Sequence, residues 1–543
     1  MKRLLLGALV LLMLVCVSVW SGSQKEAEAA KPEAAEAMDS KYGGTLRYAV
    51  VALTNLDVAS VNQYGVNEVC QQFYETLVDR DESGEVAPLL LKEWEISDDG
   101  LKHTWHLQEG VTFHNGSPFN AEVVKWNIMH KITEKGPMWS AIPWADDPVK
   151  VIDDLTLDVT LSRPYAGMYN TLTIKTFSMY DPIWVKQVGA DAMKTQFNGT
   201  GPFMMEDYSV NEYLYLKKNP NYWQEGLPYL DRIEYIAVPD NTTRALMIES
   251  GEVDMVSTVS TMDIARLEGN SDLKVITDVS SRVYYMAMDN LDPPLDDVNV
   301  RRAINYAVNK QGIVGPIFNN MVSLMKSNLL TKAVGGFHAN EPYYYNPDKA
   351  KELLAASGWW DTDGDGYVDK NGQTMSLKMV NREGHIAGDT ELPELVQGML
   401  KDVGIKVTIE TVDGATLLSN MNQDRAKVPQ YDLIYFSWAT FGGNADYTLK
   451  CGYATSAYPP KYWNYAWYSN AEVDRLIEEG DAATDLAVQN AKFARAQEIA
   501  WNEACNLFLF EALASAVMEK NVEGIYLDPS QSIWPAKYAW FSK

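Results

Sequence analysis

Cysteine is scarce in this chain: Cys16, Cys70, Cys451 and Cys505 are the four among 543 residues. Cys16 falls inside an apolar leader, so a processed chain keeps three. That odd number excludes a complete disulfide framework and permits one bridge in an oxidising compartment. Histidine is nearly as rare, with six residues. His103 and His106 stand three apart on an alternating strand, point to opposite faces and cannot share a metal. Positive charge is in deficit too: 46 Lys and Arg face 73 Asp and Glu, for a formal net charge of −27. Such a surface repels phosphate backbones and disfavours nucleic-acid binding as the main role. The 35 Gly and 23 Pro are too few for a collagenous or wholly disordered chain.

Other signatures are also missing. Beyond the leader no apolar run is long enough to span a bilayer, and no repeat of about 20 to 50 residues is visible. There is no G-x-S-x-G elbow and no Walker-type phosphate loop, and no carboxylate pair is singled out by spacing. The sequence therefore reads as a non-enzyme, with no catalytic residues and no cofactor.

What is present is ordinary globular composition, 46% hydrophobic and 22% charged, with 16 Trp and 30 Tyr. At about 150 residues per domain, the length suggests three or four structural units. The aromatic supply fills cores and favours a cavity lined with rings. Met1-Lys2-Arg3, the apolar run Leu4 to Val19 and the small polar Ser21-Gly22-Ser23 read as an export signal over 1–22. Cys16 follows Leu14-Val15; the bulky Val15 favours ordinary signal-peptidase cleavage over lipidation, and a lipid anchor stays open. Residues 23–41, rich in Ala, Glu and Lys, read as a disordered tether. The expected location is the periplasm or cell envelope.

Tyr42 to Val50 reads as a strand. Leu101, His103, Trp105 and Leu107 alternate with Lys102, Thr104 and His106, the period of a half-buried strand. Asn120 and Asp297 each precede an amphipathic helix pattern as caps. Helices are predicted over 346–357 and 391–403, and strands over Lys406–Thr411 and Tyr431–Phe436. The fold class is mixed α/β.

Several ordered motifs then carry a resemblance. Leu89-Leu90-Leu91-Lys92-Glu93-Trp94 runs through Asp98-Asp99-Gly100 to His103-Thr104-Trp105-His106-Leu107, and is followed by Gly110-Val111-Thr112-Phe113-His114-Asn115-Gly116. Further along stand Gly199-Thr200-Gly201-Pro202-Phe203, Asn219-Pro220-Asn221-Tyr222-Trp223, Ser250-Gly251-Glu252-Val253-Asp254 and Asp297-Val298-Asn299-Val300-Arg301-Arg302. Together they resemble the family 5 extracytoplasmic solute-binding proteins, receptors of oligopeptide, dipeptide, nickel and some oligosaccharide ABC importers. The resemblance implies a two-lobed, hinge-linked periplasmic-binding-protein fold of class II type, with an additional domain on the N-terminal lobe. Mapped here, the first lobe takes 42–79, 197–275 and 505–543, the additional domain 80–196, and the second lobe 276–504. It also implies a monomer that closes on a small ligand and hands it to ABC importer permease subunits, with oligopeptides favoured over oligosaccharides; an exported peptide or glycan hydrolase is the rival reading.

The stretch from Tyr431 through Trp438 to Asp446 resembles the family's strand and pocket loop. Peptide-binding members carry an Asp three residues after the Trp; here that position is Phe441. A buried ammonium without a carboxylate would be costly, so Asn444, Asp446 or Glu511 becomes the expected substitute. Trp438, Phe441 and Asn444 would equally suit a sugar ring. Tyr64, Trp139 and His385 complete the candidate ligand contacts. Asp361, Asp363 and Asp365 resemble the start of a calcium loop, although Gly372 stands where a bidentate Glu would close the shell. A plain turn is the favoured reading there, with structural calcium the alternative.

Overall fold

Alternation and capping set the local structure. The computed structural model describes residues 41–58, 60, 64–135, 139–382, 387–421, 423, 425, 431–440, 443–527 and 536–543. The export signal (1–22) and all but the last residue of the tether (23–41) therefore lie outside the described residues. The alternating segment forms the strand Lys102–Leu107, with Trp105 fully buried. Asn120, extended at φ −154°, accepts the Val123 N–H at 3.1 Å and starts the helix Ala121–Glu134. That helix stops where Lys135 turns left-handed at φ 52°. Asp297 starts Val298–Ala307 in the same way, through the Asn299 N–H at 2.8 Å. The other two predicted helices run Pro347–Ala356 and Glu391–Lys401. Asn120→Ala is expected to lower stability by about 1 kcal/mol, seen as a lower thermal midpoint.

Among the described residues, eleven strands form the main sheet: β1 (Thr45–Val50), β2 (Phe203–Ser209), β3 (Tyr213–Lys218), β4 (Arg232–Ala237), β5 (Met255–Ser257), β6 (Leu273–Met288), β7 (Val322–Leu324), β8 (Ser376–Arg382), β9 (Lys406–Val412), β10 (Leu433–Ala439) and β11 (Asn506–Glu519). Their order is β9-β8-β10-β6-β11-β5-β1-β4-β3-β2, with β7 paired to β11. β10 starts two residues later and ends three later than the pattern predicts. The reason is tertiary: β6 runs alongside it as far as the Arg282↔Ala439 pair.

Two parallel patches stand at either side of the sheet, β1 with β4 and β5, and β8 with β9 and β10. Between them the long β6 and β11 pair antiparallel. Their register runs Leu273↔Glu519 to Val279↔Leu513, slips at Ser280-Ser281-Arg282, and resumes at Val283↔Glu511. On one side of the slip β5 adds to β11, and on the other β10 adds to β6. Each long strand thus gives one half to either lobe.

The cores follow this division. The first lobe packs Leu46, Phe73, Tyr235, Ala516 and Met518 on one face, and Ala245, Ile248 and Val517 on the other. The second packs Val283, Phe436 and Phe508 on one face, and Met286, Leu377 and Leu507 on the other. A separate four-stranded sheet, ordered Leu91–Ile96, Lys102–Leu107, Thr156–Leu161, Trp144–Val151, packs Trp105 and Leu157 with Val124 and Ile128 of Ala121–Glu134. Each fully buried side chain of this size contributes about 1.5–3 kcal/mol. Two α/β lobes and an additional four-stranded unit result.

Cys70, Cys451 and Cys505 are buried free thiols, so the single bridge that the count permitted is not formed. Among the described residues no helix is long and apolar enough to cross a membrane.

Candidate functional site

In open α/β sheets, ligands gather outside the carboxyl ends of parallel strands. β10 delivers Trp438 to such an end. The indole is half-buried, its Nε1 donates to Thr448 Oγ1 at 3.0 Å, and its ring lies 5.5 Å from that of Trp463. Tyr447 meets Trp463 edge-on at 5.9 Å. Thr448 also bonds Thr440 at 2.9 Å, so the strand end is pinned to the helix Ala445–Tyr453. The indole N–H is thereby spent on the protein, and ring surface is what remains for a ligand.

Register brings in a second candidate. Val283 pairs with Trp438 on one side and with Glu511 on the other, and Glu511 pairs in turn with Ser323 of β7. Directly paired residues share a face, so Trp438, Val283 and Glu511 form one row, with the outer two about 10 Å apart at two strand spacings. Glu511 also stands where the lobes meet: along β11, Phe508 belongs to the second lobe's core and Ala516 to the first's. Its Oε1 accepts the Lys326 N–H at 3.1 Å. Burial pushes its carboxyl up to about 7, against the pull of that bond and of the Lys326 and Lys332 charges. The Lys332 ammonium is itself engaged by Asp278 at 2.6 Å. A carboxylate held this way suits a cation brought by a ligand.

Asn444 and Asp446 are placed differently from Trp438 and Glu511. Asn444 is buried, and its Nδ2 donates to Asp446 Oδ1 at 3.0 Å and to Gln489 Oε1 at 3.2 Å. Asp446, raised by burial, is hydrogen-bonded by Tyr165 of the four-stranded unit. Both therefore serve contacts within the protein. Tyr64 and Trp139 open the helix Tyr64–Cys70 and the short 3₁₀ turn Trp139–Ala141, but their side chains are outside the described residues. Phe441 and His385 lie outside the described residues altogether.

The acidic loop gathers Asp361 and Asp363 with Asp369, their ligand oxygens all within 4.8 Å. Asp365 is not in this group; its Oδ1 accepts the Tyr367 N–H at 2.8 Å. His103 bonds Tyr169 Oη at 2.9 Å, and His114, brought down to about 4 by burial, faces the Gly201 carbonyl at 3.0 Å.

Two features had no signal in the sequence. In the first lobe, fully buried Arg244 donates to the carbonyls of Val238, Pro239, Ser257 and Thr258, clamping the carboxyl ends of β4 and β5. Beside it Tyr48 donates to Glu68, whose carboxyl burial pushes up to about 7. In the hairpin Val78–Arg80/Val86–Pro88, whose Val78 and Val86 pack into the four-stranded unit's core, Arg80 donates from Nη2 to the Gly443 carbonyl and to Asn170 Oδ1, both at 3.1 Å.

Residues 85–459 match the family model of bacterial extracellular solute-binding proteins, family 5, middle region. The glutathione-binding protein GsiB of Salmonella typhi is 28% identical over 478 residues, which are 88% of this chain and 90% of that one. HbpA2 of Haemophilus parasuis superposes with a TM-score of 0.81 at 21% identity, over 92% of this chain and 100% of that one. The oligopeptide-binding protein AppA of Bacillus subtilis, in complex with a nonapeptide, gives a TM-score of 0.69 at 23% identity, over 93% and 100% of the two chains.

Proposed function

This chain belongs to the family 5 bacterial extracellular solute-binding proteins, the substrate-binding components of ABC importers, and on that premise we propose that its solute is a short peptide with a free amino terminus. The row of Trp438, Val283 and Glu511 carries the ligand class, because it sets ring surface and a buried carboxylate on one face where the lobes meet. The carboxylate takes the ammonium and the rings take a side chain. Glu511 then does from β11 what the Phe441 position of the pocket loop cannot do. GsiB, named for binding glutathione, and AppA, solved with a nonapeptide, support a peptide-like cargo.

Solute contacts both lobes, the closed arrangement makes more contacts than the open one, and occupancy shifts the population between them. Nothing in this cycle breaks a bond or calls for a cofactor. The protein works as an exported monomer in the periplasm or cell envelope and hands its cargo intact to the permease.

A second reading rests on the Trp438–Trp463–Tyr447 wall, whose faces also suit the C–H faces of an oligosaccharide. Calorimetry with tri-alanine, glutathione, N-acetyl-tri-alanine and cellotriose decides between them. Tri-alanine and glutathione are expected to bind at a stoichiometry near one and be recovered unchanged. Acetylation should weaken tri-alanine by at least about tenfold, the loss of one charge-assisted contact. Binding of cellotriose alone would replace the peptide reading with the sugar one. Recovery of cleaved products would overturn the receptor reading.

A further inference from the structure

The four-stranded unit meets the second lobe along a surface where three glycines leave no room for a Cβ. Gly443 lies at φ +65°, and a Cβ there would overlap Arg80 Nη2. Gly167 has an ordinary backbone, φ −76°, yet a Cβ on it would overlap Asn444 Nδ2. Next to them a Cβ on Gly100 would come within 2.8 Å of Thr484 Cγ2. Polar contacts tie the same surface. The Gly443 carbonyl accepts both Arg80 Nη2 at 3.1 Å and the Gly335 N–H at 2.9 Å, so both its lone pairs are used. The Gly335 carbonyl accepts the Ala445 N–H at 2.8 Å, and Arg163 donates to the Asp481 carbonyl at 2.9 Å.

Gly443 stands just before the helix Ala445–Tyr453, whose Thr448 holds the Trp438 indole N–H at 3.0 Å. A group that fixes the Gly443 carbonyl therefore fixes the start of the helix that holds Trp438. Arg80 does so from another unit: its Nη2 reaches Gly443 and Asn170 while its Nη1 holds the Gly84 carbonyl, a two-armed grip that a lysine's single nitrogen does not reproduce.

We propose that the four-stranded unit is a working part of the solute site: Arg80 is a positioning residue for the start of the helix Ala445–Tyr453 beside Trp438, and the glycine seam docks the unit on the second lobe in the solute-holding state. This rests on the reading that solute lies beside Trp438. The seam makes the additional unit a third contributor to retention, alongside the two lobes. Release of solute then includes loosening of this seam, so changes at the seam alter how long cargo stays without touching it.

Hydrogen exchange on the full chain tests the positioning role without any solute. In Arg80→Met the amides of Gly335 and Ala445 should exchange at least about tenfold faster, while those of Tyr48 and Ile236 in β1 and β4 keep their rates. Arg80→Lys should fall between. Equal acceleration in both regions, as general destabilisation would give, overturns the proposal. So does no acceleration at Gly335 and Ala445. A second arm pairs Gly167→Cys with Asn444→Cys and compares oxidised with reduced protein. The oxidised form should release tri-alanine at least about fivefold more slowly, as a change in dissociation rate. An unchanged rate, or loss of binding on oxidation, overturns the docking role. If neither tri-alanine nor glutathione binds, the peptide reading fails on its own, and the exchange result still decides for or against Arg80.

Discussion

Glu511→Gln is expected to weaken tri-alanine binding about a hundredfold at pH 8, roughly 2.7 kcal/mol, as removal of one partner from a buried charge pair does. The empty site holds a carboxyl whose burial raises it to about 7. An arriving ammonium favours the ionised form, so binding expels whatever proton the carboxyl carries. Near pH 7 this is about half a proton per solute, rising toward one at pH 5.5; above pH 8 it gives way to net uptake, because the free peptide's amino group, with a pKa of about 8, must gain a proton to bind as an ammonium. Titrations in phosphate and in Tris, whose ionisation enthalpies differ, read the released proton directly. At pH 6 to 6.5, where the free peptide is already an ammonium, the slope against buffer enthalpy should disappear in Glu511→Gln. Equal affinity for the two proteins, with no buffer dependence in either, would remove Glu511 from the site.

Glu68→Gln should make the protein more stable, and increasingly so as pH rises. Glu68 is buried in the first lobe against Tyr48 and Arg244, and burial raises its carboxyl from 4.5 to about 7. Below pH 4.5 both folded and unfolded chains carry the proton, and glutamine gains nothing. Between 4.5 and 7 the unfolded chain ionises while the folded one does not, so the wild type loses stability relative to the variant. Above 7 the full penalty is present, on the order of 3 kcal/mol at 1.36 kcal/mol per pKa unit. The comparison must be between variant and wild type at each pH. His114, brought down to about 4 by burial, contributes the opposite slope below its unfolded value and is common to both proteins. Thermal midpoints at pH 4.5, 6 and 8 check this, and a difference that does not widen with pH would place a charged Glu68 comfortably in the folded state.

These two carboxylates also mark how far the sequence could be read. Asn120 and Asp297 announced their helices because a cap acts within three residues. The strand around Trp105 announced itself by alternation, and Trp438 by its resemblance to a family motif. What joins Trp438 to Glu511 is register across three strands far apart in the chain, and it depends on a slip at Ser280-Ser281-Arg282 that no local pattern encodes. Asn444 and Asp446 sat in a loop whose composition suited ligand binding. Their partners, Gln489 and Tyr165, come from elements that only the fold brings near. Arg80 and Arg244 carried no local mark at all, since each acts mainly through backbone carbonyl groups that any residue could supply. The acidic loop shows the same effect on a small scale: spacing nominated Asp365, whereas the turn gathers Asp369.

The paired strands β6 and β11 have a consequence for anyone hoping to study the halves separately. Because each runs through both lobes, excising either half strips hydrogen-bonding partners from the other and leaves bare strand edges that invite aggregation. The molecule can be permuted or labelled at its surface loops, but it cannot be dissected into two stand-alone fragments, and any sensor built from it has to keep this double strand whole.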